Sequence, residues 1–177
     1  MKFSLFAASL ALVASVVASP LQVRNGCPNC LSKEAATTLV NRFIGVLDHA
    51  GSDLGDANAT AQAILDNNYQ EISDSILSLE GQPLGGVTFQ GKQEYIGGVL
   101  NAPPVEGITT IRIYVADCNS VLWYWNFLGV GSGQYEIKGF NLFTLNAAGQ
   151  ILTTELEFNS IAWGLDTGYQ IIFPPSS

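Results

Sequence analysis

Cys27, Cys30 and Cys118 are the only thiols, and His49 is the only imidazole, in 177 residues. The Cys27–Cys30 spacing could serve thiol–disulfide exchange, but that chemistry needs a strand-to-helix context with a thioredoxin-like pattern, and none is present. A structural bridge is the alternative. It runs from Cys30, or from Cys27, to Cys118, with Cys30–Cys118 the favoured pairing, and closes a long loop worth roughly 4 kcal/mol in the chain-entropy model. A single histidine with scattered carboxylates lacks metal-ligand spacing, so neither a metal nor another cofactor is expected. Gly129-Val130-Gly131-Ser132-Gly133 is glycine-rich enough to suggest a phosphate loop. It lies between two strand patterns, however, with no helix N-terminus to hold an anion. Asn58-Ala59-Thr60 is an N-glycosylation sequon, and Trp123 and Trp125 fall on one face of a strand by the two-residue period.

These residues are positioned by two kinds of pattern. Ala36, Leu39, Val40, Phe43, Val46 and Leu47 recur at three and four residues behind a capping Ser32, which predicts a helix from Ser32 to His49. A second helix begins near Ala57 and stops at Asp66-Asn67-Asn68, and a third runs from about Gln90 to Leu100, before Pro103-Pro104. Tyr69 to Glu80 mixes both periods and is left unassigned. Thereafter the alternation is of strand type: Ile108–Ala116, Val121–Phe127, and two long strands within Gln134–Trp163 joined at Asn146-Ala147-Ala148-Gly149. Helices followed by antiparallel strands imply an α+β fold in which a curved sheet closes over the helices as a cone. A cone has a mouth, and one lined by aromatics holds an apolar cavity.

Lys2 followed by a short apolar run ending in small residues reads as a secretory leader, residues 1–18. An N-terminal segment, 19–31, then leads into one domain, 32–173, and a tail, 174–177. With 47% hydrophobic and only 12% charged residues the chain suits one packed core, and a net charge of −8 repels phosphate backbones and anionic lipid. Nucleic acid and membranes are therefore not expected partners, and the protein is expected to be extracellular.

The order of elements, the GFNLFTLNAAGQI segment, ILDNNYQEISDSI after the second helix, the Asp117-Cys118 turn and the EFNSIAW ending resemble the nuclear transport factor 2-like superfamily, in particular secreted fungal SnoaL-like proteins. The resemblance implies a cone-shaped fold, with helices packed on a strongly curved, mixed and mainly antiparallel sheet. It leaves activity open among isomerases, cyclases, dehydratases and proteins that only bind. Compared with the ketosteroid isomerase pattern, the strand position of an oxyanion-stabilising acid falls on Asn141, an amide that can still donate. The helix position of its tyrosine partner falls on Phe43, which cannot. The general-base position falls near Asp74. The histidine pair of scytalone dehydratase has no counterpart.

These readings lead to a secreted protein that binds a small apolar or aromatic molecule, with Tyr69, Tyr95, Trp123, Trp125 and Phe143 as wall residues and Asp74 and Asn141 as orienting groups. One alternative is a cofactor-free cyclase, isomerase or lyase with Asp74 as base and Asn141 as oxyanion donor. The other is an extracellular interaction protein or homodimer that pairs through the convex sheet face, with Glu155 and Glu157 at the rim.

Overall fold

The structure is a computed structural model that describes residues 30–128, 130–170 and 172. The expected leader at residues 1–18, Cys27 and the expected tail 174–177 lie outside the described residues. Helix α1 (Lys33–Leu47) starts where Ser32 Oγ accepts from Ala35 N at 3.1 Å, and it buries Ala36, Leu39, Val40, Phe43 and Val46 on one stripe. Its last turn is crossed closely by the chain that follows. A Cβ on Gly45 would collide with the carbonyl of Gly51, and Gly51 N donates to Gly45 O at 2.7 Å. Helix α2 (Ala57–Ile64) is capped by Asp56, whose carboxylate accepts from Ala59 N at 2.7 Å. Asn58 of the sequon is exposed on its first turn, while the Thr60 hydroxyl is buried against Ser52 and Gly55.

Asp66-Asn67-Asn68 does not end the chain's regular structure. α2 passes directly into strand β1 (Leu65–Ile72), which continues into the unassigned segment, and helix α3 (Asp74–Glu80) completes it. Ser73 Oγ accepts from Ile76 N to start α3, and Gly81, at φ 67°, ends it. Strand β2 (Val87–Gln90), helix α4 (Lys92–Asn101), and strands β3 (Thr109–Asp117), β4 (Ser120–Phe127), β5 (Ile137–Leu145) and β6 (Ile151–Phe158) follow. The EFNSIAW ending is not all strand. Asn159 Oδ1 accepts from Ala162 N at 3.0 Å and turns the chain into helix α5 (Ser160–Asp166). Five helices and six strands among the described residues thus replace the expected three and four.

The six strands form one sheet in the order β2-β1-β6-β5-β4-β3; β1 runs parallel to β6, and every other pairing is antiparallel. The mixed character comes from β1, which lies between β2 and β6 and runs parallel to β6. The Cys30–Cys118 disulfide ties the head of α1 to the β3–β4 turn, reinforced by Leu31 N donating to Cys118 O at 2.9 Å. Alternate residues of β4 and β5 point inward. Val121, Trp123, Trp125, Ile137 and Phe143 are all at most 1% exposed and pack under α1. The opposite face leaves Tyr114 and Phe140 about half exposed. Glu157 is not a free rim residue, because it accepts from the backbone amides of Asp74 and Ser75 at 2.9 and 3.0 Å and from the Ser75 hydroxyl, which anchors α3 to β6.

Candidate functional site

The period-two alternation of β1 turns Tyr69 and Glu71 to the inner side of the sheet. Tyr69 is fully buried and gives its hydroxyl proton to Thr154 Oγ1 at 2.9 Å, so it is a core strut. Glu71, 3% exposed, reaches a cavity of about 160 Å³. Phe43 and Leu47 of α1 and Ile76 of α3 wall this cavity on one side, Tyr95 and Val99 of α4 on another, and Trp125, Phe127, Asn141 and Leu156 of the sheet form its floor. Phe89 of β2, Ala102, Pro103 and Val105, between α4 and β3, and Trp163 of α5 complete the lining. Ala102 and Pro103 are exposed, which places the mouth there.

A carboxyl group in such a place is expensive to ionise, because the charge has lost its water. Burial pushes the Glu71 carboxyl up to about 7, against the pull of the Thr88 hydroxyl and the nearby Tyr69 phenol. Thr88 Oγ1 lies 3.2 Å from Glu71 Oε1 and 3.0 Å from its carbonyl, which holds the side chain in place. The phenol of Tyr95 is likewise pushed well above its usual range, first by burial and then by the neighbouring Glu71 charge. It remains protonated, and among the described residues its hydroxyl has no hydrogen-bond partner; it is therefore available to donate to a guest.

Asn141 has its orientation decided by a neighbour. Trp125 Nε1 can only donate, and it does so to Asn141 Oδ1 at 2.6 Å. The amide oxygen is thereby committed, and the two N–H donors of Asn141 are left to face elsewhere on a residue that lines the cavity. Room for the indole comes from the facing strand. A Cβ on Gly139 would lie 2.6 Å from the Trp125 ring, so only glycine fits opposite it.

Of the residues expected from the sequence, Asn141, Tyr95 and Trp125 meet at the cavity. Trp123 and Phe143 do not line it. They fill the adjoining space with Phe43, whose ring centroid is 4.8 Å from that of Phe143 and 6.1 Å from that of Trp123, and Trp123 Nε1 is bonded to Thr110. Asp74 does not line it either. As the first residue of α3 its carboxylate accepts from Gly85 N at 2.7 Å, and it pins the α3–β2 loop. The carboxylate that does line the cavity is Glu71, three residues earlier, on the strand that the sequence pattern left unassigned. The signal for it was the Tyr69/Glu71 alternation. With a tyrosine as the only buried residue beside it, that signal was too short to separate from the helix period.

The chain matches the NTF2-like domain over residues 29–170. It belongs to that family. No curated protein is similar in sequence. Among solved structures, a protein assigned as a SnoaL-like polyketide cyclase from Jannaschia sp. CCS1 superposes with a TM-score of 0.54 at 15% identity, covering 76% of this chain and 95% of that one. A steroid delta-isomerase from Pseudomonas aeruginosa gives 0.53 at 18% identity, covering 78% and 91%. The epoxide hydrolase/cyclase-like SalBIII of salinomycin pyran-ring formation gives 0.51 at 16%, covering 74% and 95%. At these identities the likeness establishes the NTF2-like fold alone.

Proposed function

We propose that this NTF2-like protein binds a small apolar molecule and moves a proton on it, with Glu71 as the base. The observation that carries this reading is a carboxyl group buried in an otherwise apolar cavity and poised near neutrality, where a proton acceptor is most useful. Such burial costs folding free energy and contributes nothing to packing that a leucine would not. In the reaction class that fits, Glu71 takes a proton from a carbon next to a carbonyl. The charge developing on the carbonyl oxygen is met by the Asn141 amide N–H and the Tyr95 hydroxyl. Side chains alone supply this chemistry. The cleft volume is comparable with the ~150 Å³ that holds one benzene ring in an engineered protein core, so a single ring enters rather than a fused polycycle. An isomerase and a cyclase among the structural neighbours are in keeping with this class. The disulfide supports an oxidising compartment, and with the N-terminal leader it supports secretion.

The test is exchange of the α-protons of a small cyclic ketone for deuterium, followed by NMR, with binding followed separately through quenching of the cavity tryptophans. Wild-type protein should bind and accelerate exchange, and Glu71→Gln should bind without accelerating it. Equal exchange by both would end the catalytic reading and leave a binding protein. Absence of binding by any ring-sized apolar probe would end both.

A further inference from the structure

A second site lies on the other side of the sheet's β3 border, away from Glu71. Among the described residues β3 pairs only with β4, so its other edge has no strand partner there. A groove of about 660 Å³ runs along it, between the strand and the first turns of α1. Six consecutive β3 residues, Thr110 to Val115, touch this groove. Successive side chains of a strand point to opposite faces, so a depression on one face could touch only alternate residues; contact with all six places it along the backbone edge. The β3–β4 register is irregular at Thr110/Arg112 and at Val115/Asp117, and regular from Arg112 to Val115. That stretch offers about two residues' worth of outward N–H and C=O groups on an unbent edge.

The charges on this groove are unusual for the molecule. Among the described residues, Arg42 is paired with Asp53, Lys138 with Glu136, and Lys92 is buried against the carbonyls of Gln62 and Leu65. The two remaining cations, Lys33, which has Glu34 beside it, and Arg112, form no salt bridge among the described residues, and both line the groove. In a chain with fifteen acidic residues and seven basic ones, that is a local reversal of sign. Leu31, Ile113 and Val115 supply apolar wall between them.

We infer that this edge takes up an extended segment of another polypeptide as a seventh strand, one in which Asp or Glu alternates with apolar residues. Main-chain hydrogen bonds to Arg112–Val115 hold the segment; its carboxylates, on the outer face, meet Arg112, and its apolar side chains, on the face toward α1, lie against Leu31 and Ile113 beside the stem of Lys33. Charge argues against the two nearest rivals. Residues 1–29 of this chain carry Lys2 and Arg24 and no acid, and a second copy paired β3 to β3 sets like-charged grooves together.

The experiment is fluorescence anisotropy with a capped, fluorophore-labelled Val-Glu-Val-Glu-Val-Glu peptide and the full chain. Binding should fall at least tenfold on Arg112→Glu, be largely kept by Arg112→Lys, weaken with added salt, and be lost when the peptide backbone is N-methylated at alternate residues. Glu71→Gln should bind the peptide as wild type does, which separates this site from the cavity. Equal binding of a matched Val-Lys-Val-Lys-Val-Lys peptide, indifference to Arg112→Glu in a variant that melts as wild type does, or indifference to N-methylation would each overturn the proposal. So would binding that emerges only after residues 1–29 are removed, which would give the groove to the chain's own N-terminus, or loss of the groove to a dimer in sedimentation.

Discussion

Two neighbouring parts of the same inner sheet face have opposite characters. Around Trp123 and Phe143 the space beneath α1 is solid, with Phe43 wedged against both rings. One step along β4, Trp125 lies flat on Phe127 at 3.8 Å and turns its N–H to Asn141, and the space beside it is empty. Both tryptophans are at most 1% exposed and both belong to the same alternation, so burial and periodicity do not distinguish core from cavity wall. The difference lies in what each indole does with its area. Trp123 spends both faces on packing, whereas stacking and the Asn141 bond hold Trp125 aside. Polar groups follow the void: Glu71, Asn141 and Tyr95 sit at the hollow part.

The contrast can be broken by substitution. Phe143→Ala, at the solid part, is expected to cost about 3–5 kcal/mol in urea unfolding, since the rings around it cannot collapse into the gap. It should leave ligand affinity in the cavity nearly unchanged. At the hollow part the ranking reverses. Glu71→Gln is expected to lower proton exchange by roughly 10²–10⁴-fold, and to raise stability in alkaline buffer. The folded protein holds the Glu71 proton more tightly than the unfolded chain does. Its contribution is therefore whole below pH 4.5, declines as pH rises, and is gone above about 7. The full swing is up to about 3 kcal/mol, and urea melts of wild type and variant at pH 4, 6 and 8 would show the two curves crossing over this window.

Trp125→Phe probes the joint between the two parts. With the indole donor gone the Asn141 amide is free to turn, and exchange should fall about tenfold while Glu71 keeps its pH profile; unfolding should shift by roughly 1–2 kcal/mol, because one buried amide oxygen loses its partner. The smallest effect is expected at Asp74→Asn. That change weakens a loop bond to Gly85 by under about 1 kcal/mol and should leave exchange at the wild-type rate. A large loss of exchange there would return the base to α3 and overturn the assignment to Glu71.

Much of this architecture is local and could be read from the chain. α1 is written in its apolar stripe and Ser32 cap, and the β5–β6 hairpin in Asn146 and Gly149, where Asn146 Oδ1 accepts from Ala148 N and Gln150 N. Asn141 was reached through the family resemblance and Tyr95 as an aromatic that carries a hydroxyl, and both line the cavity. β1, α3, β2 and α5 were not legible: β2 has four residues, α3 and α5 have seven each, and the buried apolar residues of β1, Leu65 and Tyr69, are four apart, a spacing that suits a helix as well as a strand. Over such lengths a helical and a strand period predict nearly the same residues, and the choice is made by neighbours far away in the chain.

By itself the sequence determined the fold family and much of the identity of the inward faces, because capping, alternation and turn chemistry act over a few residues; it left the partner of Cys118 between Cys30 and Cys27, and the structure pairs it with Cys30. Only the tertiary structure decided which inward residues meet a void. That outcome depends on how Phe43, Trp123 and Phe143 fill one part of the cone and how Gly139 gives Trp125 room in the other. It is also what made Glu71, rather than Asp74, the carboxyl group stripped of its water. A carboxylate's usefulness as a base comes from its surroundings, and those surroundings are assembled from elements spread along the chain from α1 to α5 that share no local signal.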